Sequence, residues 1–218
     1  MCGRYVIAPP DSAILDMVRE INRSRMAALF IQAGKPPVQE AGEILPSSVV
    51  PVLAVSRTGE KRVFPMKWGF TLNGRPPGNS MDTNPSEQPR RTLLINARIE
   101  TAAEKPLFRE AWQKHRCIIP ASWYYEWEHD DKNHPIQKYA IRPEQNGTVW
   151  LAGLYRMEEG LPVFVILTRQ ADSGLKWMHD RMPLMLPEGE IDRWINPETK
   201  PEDLLGQCLT KVRWERAG

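Results

Sequence analysis

The chain has 218 residues, with 29 Lys and Arg against 27 Asp and Glu for a formal net charge of +2. That length suits a single well-buried domain, and so even a charge excludes bulk attraction to nucleic acid, leaving any such contact to a local basic patch. No apolar run approaches the roughly 20 residues that span a bilayer, and no charged leader precedes an apolar segment, so neither a membrane span nor a signal peptide is expected.

Residues 4–8 read as a short strand leading straight from the N-terminus. Pro9, Pro10 and Asp11 then open a helix that places Ile14, Leu15, Val18 and Ile21 on one face. After a loop containing Pro36 and Pro37, residues 49–55 and 61–64 form two strands paired across the turn at 57–60. Residues 73–92 are polar and turn-rich, which predicts a long exposed loop. Residues 93–96 read as a strand and 108–114 as a short helix. Strands then dominate, at 117–119, 123–128, 137–141, 149–154 and 163–167. A helix is expected near 172–177, two more near 188–195 and 201–208, and a last strand at 211–214. No internal repeat and no linker interrupts the pattern. Many strands with scattered helices predict an α+β fold, with a mostly antiparallel, barrel-like β core and peripheral helices.

Four segments could carry chemistry. The first is Met1-Cys2-Gly3-Arg4. A small residue at position 2 favours removal of Met1, after which Cys2 would bear both a thiol and a free α-amine. Such an amine titrates near ~7.7–8.0, so an appreciable fraction is neutral at physiological pH, and the ionised thiol is a strong nucleophile. The alternative is a Cys2 that merely follows the initiator. The second segment runs from Leu94 to Thr101, where apolar residues lead to Asn96 and Arg98. The amide can orient a hydroxyl or a developing charge, and the guanidinium can grip a phosphate; a turn-forming Asn and a surface Arg are the plainer reading.

In the third segment, Pro120 to Trp127, strand alternation puts Tyr124 and Glu126 on one face and Trp123, Tyr125 and Trp127 on the other. A carboxylate among so many rings is poorly solvated and suited to acid–base work, unless it simply faces solvent on a hairpin. The fourth, Trp177 to Pro183, holds His179, a natural proton shuttle, with Arg181 nearby. His115, His129 and His134 sit in polar contexts and read as surface residues. The three cysteines, Cys2, Cys117 and Cys208, are odd in number and widely spaced. That argues against a disulfide framework or a structural metal site and for reduced thiols in a cytoplasm.

Together these segments resemble the SOS-response-associated peptidase (SRAP) family, whose members capture abasic sites in single-stranded DNA. The resemblance rests on Met-Cys-Gly-Arg at 1–4, Ile-Asn-Ala-Arg-Ile-Glu-Thr at 95–101, and Arg-Cys-Ile-Ile-Pro-Ala with Tyr-Glu-Trp within 116–127. His-Asp-Arg-Met-Pro at 179–183 completes it, and Leu45-Pro46 and Lys-Trp-Gly-Phe at 67–70 also fit. It implies Cys2 as covalent nucleophile, Asn96 as an orienting group, Glu126 as acid–base catalyst and His179 as a second proton-transfer residue. Arg4, Pro46, Arg98, Lys105 and Arg181 are implied as DNA contacts, with Trp68 and Phe70 flanking or stacking on bases. Lys105 stands beside Pro106, where a basic residue is expected.

What the resemblance implies is a DNA-damage protein without metal or other cofactor, acting as a monomer on single-stranded DNA that contains abasic sites. A peptidase activity involving Cys2 is a further implication of the family name. Two other classes fit parts of the sequence. One is an N-terminal-nucleophile glutamine amidotransferase, since those domains also begin Met-Cys-Gly. The other is a non-catalytic single-strand-binding module in which aromatics and arginines do everything.

Overall fold

A computed structural model describes residues 3–8, 12–22, 24–72, 92–132, 134–145 and 147–217. Cys2 lies outside the described residues, as does the segment expected to form the exposed loop, apart from its last residue, Thr92. In chain order the elements are β1 (Arg4–Ile7), α1 (Ser12–Asn22), α2 (Arg25–Gln32), β2 (Gly42–Ile44), β3 (Val49–Val55), β4 (Lys61–Trp68), β5 (Phe70–Leu72), β6 (Thr92–Leu94) and β7 (Asn96–Arg98). Then come α3 (Ile99–Ala102), α4 (Pro106–Lys114), β8 (Arg116–Ala121), β9 (Trp123–His129), β10 (Pro135–Pro143), β11 (Val149–Glu158) and β12 (Leu161–Gln170). The last are β13 (Arg181–Pro183), β14 (Met185–Leu186), α5 (Ile191–Ile195) and β15 (Val212–Arg216), with 3-10 turns at Glu188–Glu190 and Pro201–Gln207.

The pairings close a ring. β12 pairs with β4, β4 with β3, β3 with β8, β8 with β11, and β11 back with β12. Closure removes the exposed edges that an open sheet would carry. Only the contacts of β12 with β4 and β7 are parallel among the named strand pairs; the rest are antiparallel. The expected α+β, mostly antiparallel, barrel-like core is therefore the architecture observed.

The ring strands β3, β8, β11 and β12 are buried on both faces over most of their length, which explains their near-continuous apolar runs. In β3, Val50, Val52 and Ala54 enter one apolar cluster and Leu53 enters another. In β12, Phe164 and Ile166 join the first cluster, and Val163, Val165 and Leu167 the second. A separate antiparallel sheet, ordered β15-β10-β9-β1-β2, supplies Tyr5, Ile7, Tyr124, Tyr139 and Ile141 to the first cluster. Helix α1 adds Ile14 and Val18 there, as its periodicity predicts, and α4 adds Phe108, Ala111 and Trp112 to the second.

Tight packing at the ring needs one glycine. A Cβ on Gly153 of β11 would lie 2.6 Å from Ile119 Cδ1 and 2.8 Å from the Val165 carbonyl oxygen. Two expectations are corrected. The single strand at 93–96 breaks at Ile95, because its two halves serve different sheets: β6 pairs with β5 and β7 with β12. The helix near 172–177 is instead a run of hydrogen-bonded turns tied by Asp172 and Leu175 carbonyls.

Candidate functional site

Glu126 sits on β9, where alternation buries Tyr124 and Glu126 and leaves Trp123, Tyr125 and Trp127 half-exposed. At 4% exposure it is an interior carboxylate, so the solvent-facing alternative is overturned. The strands on either side fix its surroundings. Tyr139 of β10 pairs with it on one side, and β1 runs along the other with Arg4 against Tyr125 and Tyr5 against Tyr124. Continued by one residue, that register sets Gly3 against Glu126. β2 pairs Tyr5 with Ile44, which brings Leu45 and Pro46 to the end of the sheet where Gly3 lies.

Asn96 and Arg98 are carried by β7, which pairs with Ile166 and Thr168 of β12. Asn96 is buried and Arg98 is exposed. On the opposite side of the same strand, β13 pairs Pro183 with Thr168 and Arg181 with Gln170. The C-terminal half of β12 thus gathers the second and fourth sequence segments. Arg98, Gln170, Lys176, Asp180 and Arg181 line a groove of about 430 Å3 there.

His179 Nδ1 accepts a hydrogen bond from the Arg181 backbone N–H at 2.9 Å. The same atom lies 2.8 Å from Asp180 Oδ1, which would be an ion pair only with a protonated ring. The backbone amide decides between them. Its N–H needs a lone pair on Nδ1, so the neutral ring carries its proton on Nε2, while the largely exposed Asp180 carboxylate is free to turn to solvent. Burial holds the ring below the ordinary histidine value, although the charges of Glu126 and Asp180 pull it upward. Glu126 of the third segment is therefore within electrostatic range of His179 of the fourth.

Three of the expected DNA contacts are corrected. Trp68 is fully buried, stacked against Phe164 at 6.2 Å between ring centroids and tilted against Tyr5 at 5.3 Å. Its indole N–H donates to the Ile95 carbonyl at 2.9 Å, holding the chain one residue before Asn96. Phe70 is also fully buried, between Phe108 and the Arg156 guanidinium. Neither ring has a face to offer a base, because both complete apolar clusters. Arg181 is 8% exposed; Nη1 and Nη2 donate to the two oxygens of Glu100 at 2.7 and 2.8 Å, and Nη2 also to the Thr168 carbonyl at 2.7 Å. Its guanidinium is an internal clamp, not a phosphate holder.

Arg4 and Lys105 remain at the surface. Arg4 donates to Glu43 at 2.8 Å and lies over the Trp127 ring at 5.2 Å, and Lys105 is exposed just before Pro106 starts α4. Cys117 and Cys208 are buried, and burial raises both thiols, Cys208 to about 11. Neither is a nucleophile near neutral pH. Among the described residues no cluster of His, Cys, Asp and Glu could hold a metal ion, and no helix is long and apolar enough to cross a membrane.

The sequence reading missed the Glu100–Arg181–Thr168 clamp. Its only signal was an acidic residue within the Asn96–Thr101 segment and a basic one within the His179–Pro183 segment. A second cavity, about 260 Å3, lies at the other end of β12 among Phe30, Lys67, Arg156 and Leu161, and none of the expected catalytic residues lines it.

Comparison with known proteins shows what the whole chain is similar to. The chain is 30% identical to the abasic site processing protein YoaM of Bacillus subtilis, over 96% of its own length and 85% of YoaM. It is 36% identical to the abasic site processing protein YedK of Escherichia coli over 108 residues, 48% of each chain. Among solved structures, a protein from Bacteroides thetaiotaomicron superposes with a TM-score of 0.68 at 20% identity, covering 100% of this chain and 92% of that one, a likeness of fold alone. The profile of the SOS response associated peptidase (SRAP) family matches residues 1–216, and the chain belongs to that family.

Proposed function

We propose that this protein captures abasic sites in single-stranded DNA by a covalent bond to Cys2, once Met1 has been removed. An abasic deoxyribose equilibrates with an open-chain aldehyde at C1′. The α-amine of Cys2 adds to that carbon and one water leaves, giving an imine. The Cys2 thiolate then adds to the same carbon while the nitrogen takes up a proton. The product is a five-membered ring of S, Cβ, Cα, N and C1′. Both nucleophiles belong to one residue, so the second step is intramolecular and has a high effective concentration. An internal cysteine lacks the amine, and serine lacks the sulfur.

The observation that carries this reading is the β1–β9 register, which starts the first strand with Arg4 against Tyr125, the neighbour of the buried carboxylate Glu126. Glu126 acts as acid on the sugar ring oxygen to help it open. His179, neutral with its proton on Nε2, donates to the sugar oxygen or the departing hydroxyl. Asn96 orients the opened sugar. Arg4, Pro46, Arg98 and Lys105 contact the strand, the cations by pairing with phosphates. Cys2 is the remaining candidate thiol, because the other two cysteines are buried and held protonated. The names of the curated relatives support the same substrate. The protein acts as a monomer on single strands, whose backbone bends and whose bases leave the stack.

The test is a denaturing gel of protein mixed with a single-stranded oligonucleotide containing one abasic site. A retarded band that survives denaturation is expected from wild type and not from Cys2→Ala. An equal band from Cys2→Ala, or none from protein whose Met1 is verified to be absent, overturns the proposal. Release of ammonia from glutamine would favour an amidotransferase instead.

A further inference from the structure

The rings expected to stack on bases, Trp68 and Phe70, are core residues, yet two other indoles stand at the surface. Trp177 and Trp214 are 46% and 48% exposed, with ring centroids 5.4 Å apart. Both rest edge-on against Tyr139, at 5.3 and 5.4 Å. Tyr139 is buried, and its hydroxyl donates to Glu128 at 3.0 Å. The Trp177 indole N–H donates to the Gly174 carbonyl at 2.9 Å. These rings are therefore fixed before any ligand arrives, so little side-chain entropy is lost when one lands on them.

Their position ties them to the site. Tyr139 is the β10 partner of Glu126 in the β9–β10 ladder, and Trp214 pairs with Ile141 one strand further out. Trp177 lies two residues before His179. Lys176, whose backbone N–H closes on the Asp172 carbonyl just before Trp177, lines the groove that also holds Arg98. An aromatic surface with cations beside it matches an unpaired nucleobase and its phosphate, since every base has a π face and single strands leave it free. We infer that Trp177 and Trp214, seated on Tyr139, are a stacking platform for an unpaired base of the strand that carries the abasic site, with Lys176 and Arg98 taking the adjoining phosphates. This inference rests on the proposed capture of abasic DNA and adds the place where the neighbouring nucleotide is held.

The experiment separates binding from chemistry by using a labelled single-stranded oligonucleotide with a tetrahydrofuran abasic analogue, which has no aldehyde and cannot cross-link. Affinity is measured by fluorescence anisotropy for two versions, one with purines flanking the analogue and one with base-free spacers in their place. Wild type is expected to bind the purine version about tenfold more tightly. Trp177→Ala and Trp214→Ala should bind the purine version about tenfold more weakly than wild type and lose the discrimination. Trp177→Leu keeps apolar cover over Tyr139 and should lose discrimination too, whereas Trp177→Phe should retain most of it. Variants that discriminate like wild type, or that lose affinity equally for both versions, overturn the platform. Failure of the capture reading is scored separately, as absence of a denaturation-resistant band from wild type with a true abasic site.

Discussion

At the scale of single residues, burial sorts the arginines and aromatics into roles that their letters do not announce. Arg98 and Arg181 are two basic residues in the two motif segments that meet on β12, yet one is exposed and the other is locked to Glu100 and Thr168. This difference has a clear readout. Arg98→Ala should weaken single-strand binding and reduce the slope of log K against log salt by about 1. Arg181→Ala should leave that slope unchanged and cost about 1–3 kcal/mol of stability, because the buried Thr168 carbonyl loses a donor, while the exposed Glu100 carboxylate can turn to water. Equal salt slopes for wild type and Arg98→Ala would contradict the assignment. For Glu126, Glu126→Gln keeps the shape and removes the transferable proton, so formation of the cross-link should slow about a hundredfold without vanishing. An unchanged rate in a single-turnover time course would take Glu126 out of the chemistry. Alternation in the Trp123–Trp127 segment grouped Glu126 with Tyr124 but left open which face is buried, because three aromatic rings share the other one. Nothing local marked Trp68 as interior, since a tryptophan beside a glycine fits a surface wedge as well as a core pillar.

At the scale of elements, the strands were legible where apolar runs were long, as in β3, β8, β11 and β12. The short pieces were not. β13 and β14 are three and two residues long and exist because β12 and β11 offer them partners. That is tertiary context, which no window of sequence contains. The break at Ile95 has the same origin: its carbonyl accepts both the Trp68 indole and the Ile166 N–H, so the strand changes sheets there and presents Asn96 to β12. The ring depends most sharply on β11. A methyl group on Gly153 collides with backbone as well as side chain, so the strands must part. Gly153→Ala should therefore destabilise the protein by about 3 kcal/mol, read as a fall in the denaturation midpoint. A midpoint within error of wild type would mean the ring is looser than its packing implies.

At the scale of the whole molecule, the fold class followed from the balance of strands and helices, while closure into a ring did not, because it depends on which strands meet. The pH dependence of stability is also a whole-chain property. Burial lowers His179 and His115 relative to the unfolded chain, so the unfolded state binds more protons just below the ordinary histidine value. Their contribution is present in full above about pH 6.5 and is lost as pH falls through the lowered values. The melting temperature should fall between pH 7.5 and 5.5, and His179→Asn should shallow that decline; an unchanged pH profile in the variant would contradict it. Because Cys2 must act through both its amine and its sulfur, the most direct test of the account is peptide mapping by mass spectrometry of protein reacted with abasic single-stranded DNA. The account predicts a peptide that begins at Cys2, lacks Met1, and carries the sugar with the loss of one water. A sugar attached elsewhere, or an adduct formed with Met1 still in place, would contradict it.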